Sequence, residues 1–191
     1  MQLVLASTSP YRKALLEKLR LAFETAAPEI DERAHPGEAP SALVERLAVE
    51  KAKAVSGGYP DALIIGSDQV AVAGDKVLGK PGNHDKAHQQ LRLLSGRRVV
   101  FMTGLCLLNS ATGRVQADVV DYTVTFRTLT DQQIARYLEL EQPFDSAGSF
   151  KSEGLGITLF AAMQGSDPNA LIGLPLIRLT TMLAKEGWVL P

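Results

Sequence analysis

The sequence predicts an α/β fold, a mixed sheet flanked by helices, in one domain spanning residues 1–191. Three observations predict it. Strand-like apolar runs alternate with amphipathic helical segments through the first half. Residues 62–73 form an Ile/Val-rich run, closed by Gly74-Asp75, that reads as a buried strand. The second half carries two long strand candidates joined by a turn, an antiparallel pair.

Leu3 to Ala6 reads as the first strand. Ser9-Pro10 then starts a helix, with Ser9 as N-cap and Pro10 in the first helical position. Ala14, Leu15, Leu16 and Leu19 mark one face of it. A strand running into a capped helix offers N–H groups and a positive dipole end to an anion. Arg12 and Lys13 in that first turn oppose the dipole, a local conflict of the kind found at working sites.

Phe23 to Ile30 predicts a second strand leading into the acidic pair Asp31-Glu32. Residues 33–40 form a polar loop with two prolines and a glycine, whose order or mobility the sequence leaves open. Ser41 to Ser56 predicts a helix whose buried side carries Leu43, Val44, Leu47, Ala48 and Ala52. Lys51 falls on that same stripe. It either snorkels its stem across the stripe or brings a charge to a site.

Lys80 is held between Gly79 and Pro81 in a backbone-defined loop. Asn83 to Leu94 predicts a helix stopped by Ser95-Gly96; its His84 and His88 read as solvent-facing rather than metal-binding. Residues 98–108 and 115–129 predict the long strands, with a hairpin turn at 109–113. Thr130 and Gln133 form a capping box for the next helix. A glycine-rich loop over residues 147–156 precedes a short strand, Ile157 to Phe160, and a last helix stops near Gly187.

Composition narrows the function. Hydrophobic content of 46% and charged content of 21% are ordinary for a soluble globular chain. A net charge of −1 gives no electrostatic case for nucleic acid or a membrane surface. Cys106 is the only cysteine, so no disulfide or thiolate metal cage is expected; its apolar run reads as core. No run reaches the roughly 20 apolar residues of a membrane helix, and the N-terminal apolar stretch is too short for a signal-peptide core. The expectation is a cytoplasmic protein.

Asp68 is the residue that composition does not explain. It interrupts the central apolar strand, where an ionised carboxylate costs several kcal/mol unless a cation or donor compensates it. Either Gly66-Ser67-Asp68 is a turn, or Asp68 stands at the mouth of a cleft between a first-half and a second-half lobe. The second reading predicts that Arg12, Lys51 and Lys80 converge on Asp68. Cations for phosphates and carboxylates for a metal or water are what phosphoanhydride hydrolysis requires.

The order of motifs resembles the Maf-like nucleotide pyrophosphatase family. The matching pieces are residues 5–12 (LASTSPYR), 28–32 (PEIDE), 50–52 (EKA), 66–70 (GSDQV), 79–81 (GKP), 147–149 (AGS) and 172–176 (IGLPL). The resemblance implies an elongated, inosine-triphosphate-pyrophosphatase-like α/β fold with a central cleft between two lobes. It also implies cleavage of a nucleoside triphosphate to the monophosphate and pyrophosphate with a divalent metal, magnesium or manganese. By the same resemblance Asp68 is the proton acceptor, and Ser7, Arg12, Lys51 and Lys80 hold the triphosphate. Glu32 and Asp68 would serve the metal. The partner implied is a small nucleotide, with no nucleic acid and no membrane; a homodimer is left open.

Three positions depart from the common family pattern: Tyr11 where many members carry arginine, Gln69 for threonine and Glu153 for glutamine. These departures resemble the subfamily acting on 7-methylguanosine triphosphate rather than on dTTP and UTP. The physics agrees. 7-Methylguanine is cationic, so the Tyr11 face gains on the order of 0.5–2 kcal/mol by stacking and cation–π attraction. Glu153 can accept from the ring N–H and the exocyclic amine of guanine together, a donor edge that pyrimidines lack.

Overall fold

The computed structural model describes residues 1–190. Seven strands form one mixed sheet: β1 (Gln2–Ala6), β2 (Glu24–Ala26), β3 (Ala62–Ala73), β4 (Lys76–Leu78), β5 (Arg98–Asn109), β6 (Arg114–Phe126) and β7 (Phe160–Gly165). The strand order is β2-β1-β3-β5-β6-β7, with β4 paired to β3. β1 runs parallel to β2 and β3, whereas β3/β4 and β6/β7 are antiparallel. The helices are α1 (Pro10–Glu17), α2 (Pro40–Ser56), α3 (His84–Leu94), α4 (Asp131–Glu141), α5 (Pro168–Ile172) and α6 (Leu176–Lys185).

The chain divides into two compact units that interleave along the sequence. The first comprises Met1–Gln69, Thr103–Val120 and Asp167 onward; the second comprises Val70–Met102 and Asp121–Ser166. The expected first-half and second-half lobes are therefore corrected. β3, β5 and β6 each change unit partway along, because strands of twelve or thirteen residues are long enough to serve two cores.

In the first unit β1 and the adjoining parts of β3 and β5 are buried on both faces, which is why they read as continuous apolar runs. Alternation assigns the faces. Leu3, Leu5, Leu63, Ile65, Leu105 and Leu107 pack with α1 and α6. Val4, Ala6, Ile64, Cys106 and Leu108 pack with Ala48 and Ala52 of α2. α2 lies very close to the sheet: a Cβ on Gly66 or Gly104 would collide with the carbonyl of Ala48 or Val44. Both strand glycines mark this backbone approach. Cys106 is the expected core thiol, and burial pushes it up to about 12.

The second unit packs Phe101, Phe126, Phe150 and Phe160 edge to face around Phe150 and Phe126, with ring centroids 4.8–5.6 Å apart. Tyr137 of α4 accepts a hydrogen bond from the Lys151 N–H at 3.1 Å, and burial raises its pKa.

Local chemistry behaves as expected at Ser9, which accepts from the Arg12 N–H, and at the Thr130/Gln133 capping box. Several element boundaries differ, among them β6, which ends at Phe126 rather than at residue 129, and α1, which ends at Glu17 before Leu19. The second strand shrinks to Glu24–Ala26, since only three residues reach the β1 register before Pro28 removes a donor. Residues 155–159 form a 3-10 turn, and the last strand begins at Phe160. Ala14 is exposed, so Leu15 and Leu16 alone carry the α1 buried face. The polar loop 33–40 is tied to α2: Arg46 binds Glu38, Glu50 and the Arg33 carbonyl, and the His35 N–H donates to Glu38. Among the described residues no helix is long and apolar enough to cross a membrane.

Candidate functional site

Strand alternation also divides the central motif. Residues 64, 66 and 68 share the α2 face of β3, whereas 63, 65, 67 and 69 share the other. Asp68 accordingly meets α2, where Lys51 lies on the buried stripe. Lys51 Nζ sits 2.6 Å from Asp68 Oδ1 and 2.7 Å from Glu32 Oε1. The Lys51 and Asp68 side chains are only 7% and 13% exposed, while Glu32 is 60% exposed. The ammonium thus compensates a carboxylate that the apolar strand alone would not tolerate. Lys51 does not snorkel to solvent. The acidic pair splits, Glu32 joining Lys51 while Asp31 turns to Arg33 at the surface.

Arg12 closes the site from α1. Its Nε donates to the Gly173 carbonyl at 2.8 Å. Burial lowers the guanidinium pKa, and the charges of Asp68 and Glu32 oppose that shift. Two cations and two carboxylates therefore share one electrostatic neighbourhood. Buried Ser7 directly follows β1 and accepts the Ser9 N–H at 3.1 Å. Tyr11 stands half-buried in the first turn of α1. The backbone contributes less to an anion site there than the sequence suggested. Pro10 has no N–H, Ser9 Oγ takes that of Arg12, and the Ser9 carbonyl takes that of Lys13.

On the opposite face of β3, Ser67 and Gln69 meet α5 and the residues after it. Ser67 Oγ is fully buried, 2.8 Å from the Gly104 carbonyl and 2.9 Å from that of Gly173. Gln69 Nε2 approaches Thr103 Oγ1 at 2.9 Å and the carbonyls of Ala170 and Leu171 at 2.7 and 3.1 Å. Gly173 adopts φ 121, a conformation that favours glycine and aims its carbonyl at Arg12 and Ser67. Ser67, Thr103 and Asp167 were not assigned roles in the sequence. Their signal was a polar side chain inside or beside an apolar run, which demands a partner.

Lys80 and Glu153 belong to the second unit. Lys80 is exposed in the expected tight loop, between Gly79, whose carbonyl accepts from Gln90 Nε2 at 3.2 Å, and buried Pro81. Glu153 is exposed in the glycine-rich loop and accepts from Ser152 Oγ at 3.3 Å. His84 is exposed and His88 half-buried, with ring centroids 6.5 Å apart.

Among the described residues no group of three or more His, Cys, Asp and Glu is placed to hold a metal. Asp68 and Glu32 do converge on one cationic atom. Two carboxylates suit a magnesium-type cation that takes its remaining ligands from substrate phosphates and water.

The fold is similar to that of the solved Staphylococcus aureus Ham1 protein, with a TM-score of 0.58 at 12% identity over 97% of this chain and all of that one. That likeness establishes the class as a mixed α/β fold of the same kind. Within it, the sequence model described as Maf-like protein matches residues 2–186, and the chain belongs to that family. It is 60% identical to a 7-methyl-GTP pyrophosphatase of Alcanivorax borkumensis, over 99% of this chain and 96% of the relative. Relatives of the same name from Pseudomonas fluorescens and Nitrosococcus oceani are each 57% identical over 97% of this chain, and 96% and 94% of their own lengths.

Proposed function

We propose that this chain is a nucleotide pyrophosphatase that hydrolyses 7-methyl-GTP to 7-methyl-GMP and pyrophosphate, with residues 1–191 acting as one catalytic domain. What carries the reading is Asp68, a carboxylate in a buried strand held 2.6 Å from Lys51, in a chain alike over its whole length to relatives bearing that activity in their names.

Asp68 accepts the proton of the water that attacks the α-phosphorus. Lys51 orients that carboxylate and, with Arg12, meets the negative oxygens of the transition state. Ser7 donates its hydroxyl proton to a phosphate oxygen, and Lys80 neutralises the leaving pyrophosphate. A divalent cation, magnesium or manganese, supplies further charge neutralisation when held by Asp68 and Glu32. Tyr11 stacks on the cationic base, while Glu153 and Gln69 accept from its N–H edge. The role is removal of modified nucleotides from the cytoplasm before they enter nucleic acid.

The test is pyrophosphate release from 7-methyl-GTP, GTP, dTTP, UTP, CTP and ITP with magnesium or manganese. The expected result is a strong preference for 7-methyl-GTP. Preference for dTTP and UTP would keep the hydrolytic chemistry and overturn the base assignment; no turnover of any nucleotide would overturn both.

A further inference from the structure

Gln69 has the same outline whichever way its amide points, yet the two orientations offer opposite chemistry to a base. With Nε2 outward it would donate; with Oε1 outward it accepts. The surroundings decide. Two of its three neighbours, the Ala170 and Leu171 carbonyls, can only accept, so the amide nitrogen must face them. The third neighbour, Thr103 Oγ1, is ambivalent by itself. Its own proton is committed to the Ala170 carbonyl at 2.9 Å, so toward Gln69 it can only accept. Thr103 is completely buried within β5, where an unpaired hydroxyl would be costly.

We propose that Thr103 is a positioning residue. Together with the Ala170 and Leu171 carbonyls, the first of which its own hydroxyl braces, it fixes the Gln69 amide with Oε1 turned away from α5, so that Gln69 presents an acceptor to the donor edge of a guanine-type base. This rests on the nucleotide pyrophosphatase reading above. Thr103 touches no substrate; it acts through Gln69. Three acceptors around one NH2 group leave no room for the flipped amide, whose oxygen would face two carbonyl oxygens. Two amide hydrogens are shared among three acceptors, so removing the hydroxyl takes away one acceptor and also removes the donor that braces the Ala170 carbonyl in place. The α5 carbonyls then hold the amide less firmly, and its acceptor is lost to the base for part of the time.

The experiment pairs kinetics with side-chain amide NMR on Thr103→Val and Thr103→Ser. In the wild type the Gln69 Nε2 protons should exchange slowly with solvent; in Thr103→Val they should exchange at least tenfold faster, and Thr103→Ser should restore protection. KM for 7-methyl-GTP should rise about tenfold in Thr103→Val with kcat unchanged, the scale of one positioned hydrogen bond. KM for UTP should not move, and Thr103→Ser should recover the wild-type ratio. Equal losses on both nucleotides would make Thr103 a purely structural residue and overturn the proposal. Fast exchange of the wild-type Gln69 amide would overturn it too, even where Thr103→Val does not fold. A wild-type enzyme inactive on 7-methyl-GTP but with a Thr103-protected amide would instead refute the substrate reading and leave the positioning role standing.

Discussion

Lys51 ties two carboxylates from distant parts of the chain, and only one of them lies deep. Asp68 is the less exposed partner and sits on the rigid strand, which suits a proton acceptor that must hold its geometry. Asp68→Asn keeps the shape and a hydrogen-bond acceptor but removes the basic oxygen. Hydrolysis should fall by at least about a hundredfold, the lower end of general-base contributions, while far-UV circular dichroism stays unchanged. An Asn variant with wild-type turnover would sink the role. Much of this site was legible residue by residue. Asp68 betrayed itself by interrupting an apolar run, and Lys51 by falling on a buried stripe. That Lys51 meets Asp68 was expected from the uncompensated charge, but the direct contact was not legible, since it depends on α2 crossing β3 where Gly66 lets it approach. Ser67 and Thr103 went unread for the same reason: their partners on β3, β5 and the segment 170–173 are brought near only by the fold.

At the scale of elements, Asp167 holds two helices at once. It is 1% exposed, caps α5 by accepting from the Asn169 N–H, and accepts the Ile177 N–H in the first turn of α6 at 2.7 Å. Asp167→Ala should cost roughly 2–3 kcal/mol in urea denaturation, more than an ordinary cap, because the N–H donors of two helix starts lose one shared, buried acceptor. It should also loosen the 170–173 carbonyls that Arg12, Ser67 and Gln69 hold. The loop before α2 has its own anchor in Glu38. Hydrogen bonds from Arg46 hold the Glu38 carboxyl at about 2, below its ordinary 4.5. A depressed carboxylate stabilises the fold above the unfolded value and loses that contribution as pH falls from about 4.5 through about 2. Acid titration of Glu38→Gln should therefore show lower stability at neutral pH and a shallower decline across that window. An identical profile would mean that the Arg46 web does not anchor the loop.

For the whole molecule, the interleaving of the two units has a folding consequence. Neither unit is a continuous piece of chain, and β3, β5 and β6 contribute to both. Trp188, the single tryptophan, packs against the first unit's core. Its fluorescence and the far-UV signal of both units should report one coincident denaturation transition; two separated transitions would show that the units fold independently.

The sequence by itself determined the α/β class, the helix caps at Ser9 and Thr130, the buried stripe of α2 and the anomaly of Asp68. Each follows from periodicity or from a side chain bonding to backbone a few residues away. Only the tertiary structure decided what Asp68 and Gln69, adjacent in sequence and on opposite faces of one strand, each meet there. It also decided that Lys51 joins Asp68 to Glu32, and that the Gln69 amide is oriented by Thr103 and α5. The physical reason is distance along the chain. A hydrogen bond spanning 101 residues, as from Gln69 to Ala170, leaves no local pattern, because its partner is chosen by how strands and helices stack rather than by neighbours in sequence.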